Sequence, residues 1–514
     1  MKKLLLILLA LIIILATGCG ASADEHTFEI NENCTYNDYN ANYEINNYHD
    51  SYTYNNAYIS ANQQPYPEAP YPEHTPQAHL PEENLAHTHT CFNPENQEPT
   101  QYNSPIPLEL AAQFFAELCA LFTADDGYLW GAHLHTPFMF LYPATRDIVV
   151  NQPDSTGILT RAGNVYVGVL PENFAAIYSF PTIGDRRWAM LPWPLVPLDD
   201  IHKNRRLESM AHMSLHVHQP ALFGSSGGID NSHMNEKDAR ITVQLEINAL
   251  IHAFRSTGDE RLAAINDALS IRAERRRLFP RAERSENLFE FHEGMANYTA
   301  TRLVGFDRYH ILASVEHGAA GLRYQSSLGG IFGYISGELY GYLLDETGII
   351  WREGLRYGVD LGQLLKGAME IAYLRPFDEI DLTAYGYEDI LAFETQRVLE
   401  HEQMLQDLRT AFSSQPNLRI PFGLEGPYMQ LNPAQIFNVG ELRVYGATVV
   451  ISGTFGRLEV YEGFFARRYP AHDGHVIATG MERDGNRVSG DGWVLELNDG
   501  FNIHAMSGNY VVGR

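Results

Sequence analysis

Between Lys3 and Arg146 the 514-residue chain has no lysine or arginine. Over its whole length 36 Lys and Arg face 63 Asp and Glu, a formal net charge of −27. Binding to a phosphate backbone needs a basic surface, so this balance excludes nucleic acid as the expected partner and welcomes basic, non-nucleic ones. Cysteine is scarce as well. Cys19, Cys34, Cys91 and Cys119 are the four present, and none stands in a Cys-x-x-Cys pair. A cysteine-built zinc site is therefore not expected. Cys34 and Cys91 lie in a polar stretch and can pair in an oxidising compartment. After residue 15 no apolar run approaches the roughly 18 residues that span a bilayer.

What the N-terminus does contain is an export signal. Met1-Lys2-Lys3 is a short basic start, and Leu4 to Leu15 is a twelve-residue apolar run. The run is short for a span and is followed by small residues, Ala16-Thr17-Gly18, as in a signal peptide. Cys19 directly after Gly18 resembles the lipobox of bacterial lipoproteins. That resemblance implies cleavage after residue 18, lipidation of Cys19, and an anchor on the outer face of a bacterial membrane. Acylation by more than one chain suffices for stable anchoring.

Residues 19–105 are rich in Asn, Tyr, Pro, Gln and His, and poor in aliphatic side chains. Such a segment cannot bury enough apolar surface to offset the entropy of ordering, and its prolines interrupt regular elements. It reads as a disordered tether. His74, His79, His87 and His89 within it offer a sharper alternative, metal scavenging.

The pattern changes at about residue 106. Apolar residues are dense from Leu108 to Phe122, which predicts a buried helix ended by Asp125-Asp126-Gly127. Phe138–Tyr142, Asp147–Val150, Val165–Val169 and Arg187–Leu191 then read as strands between Pro and Gly turns. Asp199 and Asp200 offer an N-cap to the helix that follows. Further helices are expected at 236–256, 259–279, 282–303, 322–345, 354–372 and 387–412. The run Arg272, Glu274, Arg275, Arg276 and Arg277 reads as a solvated helix face. Gly329, Gly330, Gly333, Gly337 and Gly341 recur at helical spacing and predict close packing of one helix on another, with the His212 helix as a candidate neighbour. From residue 413 to the C-terminus short alternating strands with Gly turns predict a small β domain. The expected fold class is α+β: a small N-terminal sheet feeding a mainly helical core over 106–412, then a C-terminal β domain over 413–514.

One constellation in the helical part carries chemistry. His212 and His216 stand at i and i+4, which puts both imidazoles on one helix face a turn apart. Glu293 stands in a later helical segment. Two histidines and a downstream glutamate make a three-ligand zinc site with an open fourth position. In zinc peptidases of the His-Glu-x-x-His type the residue after the first histidine is the general base. Here it is Met213. His218 falls off the 212/216 face and reads as a surface residue.

Leu207 to Gln219, Leu278-Phe279-Pro280, Glu293 to Arg302 and Tyr340 to Asp345 resemble an uncharacterised family of secreted bacterial proteins. So do Trp130-Gly131, Pro143 to Arg146 and Asn151 to Asp154. The resemblance covers about residues 106–410. Members of that family read His-Glu-Ser-Phe-His-Arg-x-Gln at the first site and Asn-Glu-Gly-x-Ala-Glu-Tyr at the second, a pairing similar to the gluzincin class of zinc peptidases. It implies a zincin-like core with zinc held by His212, His216 and Glu293, and it places Gln219 and Tyr298 at family positions of unassigned role. Three positions depart from the pattern: Met213 for the catalytic glutamate, His292 for asparagine and Asn297 for glutamate. Methionine cannot take a proton from water and pass it to a leaving amine, a role worth about 10²–10⁴-fold. Glu208, four residues before His212, and Glu290, three before Glu293, are the candidates to stand in. Tyr298 and Tyr334 are candidate oxyanion donors. The expectation is a metallopeptidase-like lipoprotein impaired in catalysis. The alternative is an envelope protein that holds a peptide or cell-wall fragment without cutting it.

Overall fold

The computed structural model describes residues 102–514, apart from 172–173, 175–179, 195–197, 200, 225–226, 423–427, 431–435, 440–441, 447–448 and 469–472. The signal peptide, Cys19, Cys34, Cys91, the histidine-bearing tether and the Asp200 cap lie outside the described residues. The architecture is α+β, with helices in the middle and sheets on either side in the chain order.

Helix α1 (Leu108–Asp125) is followed by strands β1 (Phe138–Tyr142), β2 (Asp147–Val150), β3 (Thr160–Ala162), β4 (Val165–Val169), β5 (Thr182–Ile183), β6 (Arg186–Arg187) and β7 (Ala189–Pro192). Five of these strands form one sheet in the order β3-β4-β2-β1-β7, with β1 and β7 parallel and the other neighbours antiparallel. Successive side chains of a strand point to opposite faces. Phe138 and Phe140 of β1 accordingly join the main core, while Met139 and Leu141 join a second apolar cluster with Ile148, Trp188 and Met190. Burial on both faces explains why β1 reads as an unbroken apolar run rather than an alternation. On the core side α1 covers the sheet, and the Phe115 and Phe140 rings stack 4.9 Å apart.

The chain leaves β7 and enters α2 (Lys203–Phe223), the helix with both histidines. Asp199 sits just ahead of this helix, where its Oδ1 accepts from the His202 backbone N–H at 2.9 Å. Helices α3 (Lys237–Arg255) and α4 (Gly258–Leu278) pack side by side. Next comes α5 (Ala282–Phe289), which runs through a π turn at Glu290–Gly294 into α6 (Met295–Val304). The remaining helices are α7 (Arg308–Leu322), α8 (Phe332–Asp345), α9 (Leu361–Ala368) and α10 (Tyr387–Ser414).

Several expectations need correction here. The helix expected over 322–345 starts only at Phe332, as α8, and α7 ahead of it was not expected; α7 has its own cap, where the Asp307 side chain accepts from the His310 N–H at 2.9 Å. The helix expected over 354–372 shortens to α9. The charged run on α4 is not a solvated face. Arg272 and Arg275 are buried, and both pair with Glu246 of α3. The glycines of α8 do pack closely on a helix, but it is the one with Glu293. A Cβ on Gly294 would come within 2.4 Å of the Gly337 Cα, and one on Gly337 within 2.4 Å of the Glu290 carbonyl oxygen. Neither position has room for a methyl group.

After α10 the chain is all strand. The strands are β8 (Asn417–Pro421), β9 (Tyr428–Gln430), β10 (Ile436–Val439), β11 (Leu442–Gly446), β12 (Val449–Gly453), β13 (Gly456–Val460), β14 (Phe464–Arg468), β15 (Asp473–Ile477), β16 (Glu482–Asp484), β17 (Arg487–Gly490), β18 (Trp493–Leu497), β19 (Asn502–Met506) and β20 (Asn509–Gly513). A seven-stranded sheet has the order β10-β11-β14-β15-β8-β20-β19, and a six-stranded one β16-β17-β18-β13-β12-β9. Leu418, Ile451, Leu458, Phe465 and Trp493 belong to the apolar core of this region, distinct from that of the helices. Leu408 and Phe412 near the end of α10 pack on Val444 and Ala466 of the strands.

Candidate metal centre

The π turn decides where Glu293 points. A π turn widens the helix by one residue and is frequent at functional sites. Here Glu290 and Glu293, three residues apart, serve different neighbours. Glu290 is buried against Arg272 of α4, at 2.7 Å. Glu293 faces α2, where its Oε2 lies 3.4 Å from His212 Nε2 and 3.3 Å from His216 Nε2. The two Nε2 atoms are themselves 3.0 Å apart. Both histidines are buried. Among the described residues this trio is the one group of three or more His, Cys, Asp or Glu side chains whose ligand atoms converge.

The hydrogen bonds behind the rings settle their tautomers. Asn297 donates its Nδ2 to the Tyr334 carbonyl at 3.3 Å, which turns its Oδ1 toward His212 Nδ1 at 2.8 Å. Gln219 donates its Nε2 to the His292 carbonyl at 2.7 Å, which turns its Oε1 toward His216 Nδ1 at 2.8 Å. Each amide is oriented by a main-chain oxygen that can only accept. Each Nδ1 therefore carries the proton, and each Nε2 presents a lone pair. Burial lowers the His212 pKa, so the ring stays neutral rather than becoming a second donor. Two lone pairs and a carboxylate oxygen thus meet in a buried spot, and Glu293 Oε2 has no hydrogen-bond donor there. Such an arrangement is repulsive by itself and attractive around a cation. Ligand atoms about 2.0–2.1 Å from a tetrahedral ion stand about 3.3–3.4 Å apart. The donor set fits a divalent ion, with Asn297 and Gln219 as the outer partners that orient metal-binding imidazoles.

The other candidates are spread around this trio. Met213 is buried in the apolar core at 7% exposure. Glu208 pairs with Arg205 at 3.0 Å. Glu290 accepts from Arg272 and from Ser336 Oγ, the latter at 2.6 Å. Tyr298 gives its hydroxyl to Asp345 at 2.8 Å and accepts from Arg352 at 2.7 Å, so its role is to tie α6 to the end of α8. The Tyr334 ring stacks on His212 with centroids 5.8 Å apart. His218 is half-buried, with Nε2 3.0 Å from Thr136 Oγ1, rather than a surface residue. Two residues without an expected role stand beside the centre. The His292 ring lies 4.4 Å from that of His216, and burial together with the neighbouring histidines pushes its pKa down to about 4. Its Nδ1 meets the Tyr357 hydroxyl at 2.9 Å, which also donates to Gln219 at 2.8 Å. Gln219 and Asn297 were detectable by spacing: each lies three or four residues from a ligand on the same helix.

Behind the centre sits a second carboxyl pair. Glu338 is buried on α8 and accepts from Thr301 at 2.9 Å. Burial, and then the charge of Glu208, push its pKa up to about 8 from the ordinary 4.5. A carboxyl raised on folding contributes fully below the unfolded value, and its contribution is lost as pH rises through the folded one. Stability should fall between pH 4.5 and about 8, by roughly 1.4 kcal/mol for each unit of that window. Glu338→Gln keeps the acceptor and removes the titration, so its melting temperature should change less between pH 5 and 8. An unaltered pH dependence in the variant would assign the slope to other groups.

No protein family, no curated protein and no solved structure matches this chain.

Proposed function

We propose that the protein is an exported, lipid-anchored member of the zinc-peptidase-like class whose metal centre is kept while its hydrolytic machinery is impaired. The observation that supports this most directly is the convergence of His212 Nε2, His216 Nε2 and Glu293 Oε2 within 3.0–3.4 Å, with both rings oriented by pinned amides. Zinc in such a site polarises a carbonyl and acidifies bound water. The chain's own residues would hold the ion through His212, His216 and Glu293, and Asn297 and Gln219 turn the two Nε2 atoms toward it. Met213 is apolar at the position where the general base is expected. Glu208 and Glu290 are each committed to an arginine.

The substrate class is a peptide or a related amide of the cell envelope. No helix among the described residues is long and apolar enough to cross a membrane, and the membrane contact in this reading is the lipid on Cys19. Met213 also favours a second reading, a receptor that holds a peptide or wall fragment uncut.

Elemental analysis tests the centre. The purified protein should contain close to one equivalent of zinc after dialysis against a metal-free buffer, and His216→Ala should contain essentially none. Equal, negligible contents in both would sink the metal reading.

A further inference from the structure

The ribbon β5–β6 ends beside the centre, and its last residue is a half-buried arginine. The Arg187 guanidinium lies 5.1 Å over the Phe180 ring. Phe180 in turn meets the edge of the His216 ring at 5.4 Å. Its neighbour Arg186 is committed to Gln152 Oε1 at 2.7 Å. Arg187 has no carboxylate within 4 Å and no hydrogen-bond acceptor among the described residues, in a chain where acids outnumber bases 63 to 36.

A half-buried guanidinium keeps contact with water, and an anion of matching shape can replace that water. A guanidinium presents a rigid fork that matches a carboxylate in two parallel hydrogen bonds. Phe180 holds the fork by its face and leaves the N–H edge available. We infer that Arg187 is the specificity-determining residue of this centre and selects peptides with a carboxylate near the bond or group that faces His212, His216 and Glu293. The chemistry can come from a free C-terminus or from an acidic side chain. This rests on the peptide-holding reading above, and the experiment separates the two.

The probe is a library of N-acetylated pentapeptides, offered to the immobilised full-length protein in three forms. The first has free C-termini, the second is C-terminally amidated, and the third is amidated and lacks Asp and Glu. Retained peptide is counted by mass spectrometry, with and without zinc. The expected result is at least tenfold higher retention of the first form than of the third. The second form assigns the source: retention like the first points to acidic side chains, retention like the third to the C-terminus. Arg187→Met should bring all three to the same level while its zinc content and melting temperature stay those of the parent. Arg187→Lys should recover only part of the preference. Equal or absent retention of the first and third forms by the parent protein overturns the inference, whatever its zinc content. A preference that persists in a protein binding no zinc would keep Arg187 as the anion site and remove the metal reading instead.

Discussion

Met213→Glu should raise hydrolysis of a peptide substrate by about 10²–10⁴-fold, the usual worth of a positioned general base. In the proposed reading the ligands for the ion are already in place. The three ligand atoms lie 3.0–3.4 Å apart, and the imidazoles are oriented by Asn297 and Gln219. What is missing is a group that can accept a proton beside the open position. Glu290 cannot leave Arg272 without stranding a buried charge, and Glu208 stands with Arg205. Met213 itself is 7% exposed, so the new carboxyl enters a largely dry setting. Burial of that kind raises a carboxyl toward neutrality, which suits a base that must later act as an acid. Met213→Gln has the same size and cannot titrate, and it should show no gain. The rate is measured on zinc-loaded protein whose metal content is checked. Full zinc with no gain from glutamate would mean the cleft is built to hold its ligand, and the receptor reading would take its place.

The ligand trio was legible because its chemistry repeats at helical spacing: four residues between the histidines, and a glutamate in a second helix. The strands β1, β2 and β4 were legible for the same kind of reason, since apolar runs between Gly and Pro turns leave few alternatives. The π turn was not, because nothing in Glu290-Phe291-His292-Glu293-Gly294 announces an extra residue in the turn. Its cause is tertiary. Gly294 meets Gly337 at a distance that excludes a side chain on either, and the helix deforms to let them approach. The buried arginines failed for a different reason. Arg272 and Arg275 look like solvent-facing charges in one dimension, because their partners Glu246, Glu286 and Glu290 lie on other helices and each reads singly as a surface acid. Only packing shows that α3, α4 and α5 place these charges together. The same holds for the start of α8, where the glycine-rich stretch 323–331 ahead of it has helical periodicity and passes for helix.

That buried network makes Arg272 the most consequential single residue outside the centre. Its Nη2 donates to Glu290 at 2.7 Å and to Asn287 at 3.0 Å, and its Nη1 donates to Glu246 at 2.9 Å. Glu246 also receives Arg275 and the Tyr340 hydroxyl, and Arg275 holds Glu286. Arg272→Ala would leave Glu290 with Ser336 as its polar partner, in a place where burial already raises its pKa despite the arginine. Breaking a buried pair from one side costs about 3–5 kcal/mol, because the remaining charge has lost both water and partner. Urea unfolding should register that loss. The metal should register it too, since Glu290 opens the turn that presents Glu293. Zinc retention in Arg272→Ala should weaken even where the protein is still folded. Replacing both partners, Arg272→Met with Glu290→Met, removes the stranded charge and should recover much of the stability, as apolar replacements of whole buried pairs do. A single variant that loses under about 1 kcal/mol would place Arg272 in contact with water, and the coupling drawn here between α4 and the metal turn would then fail.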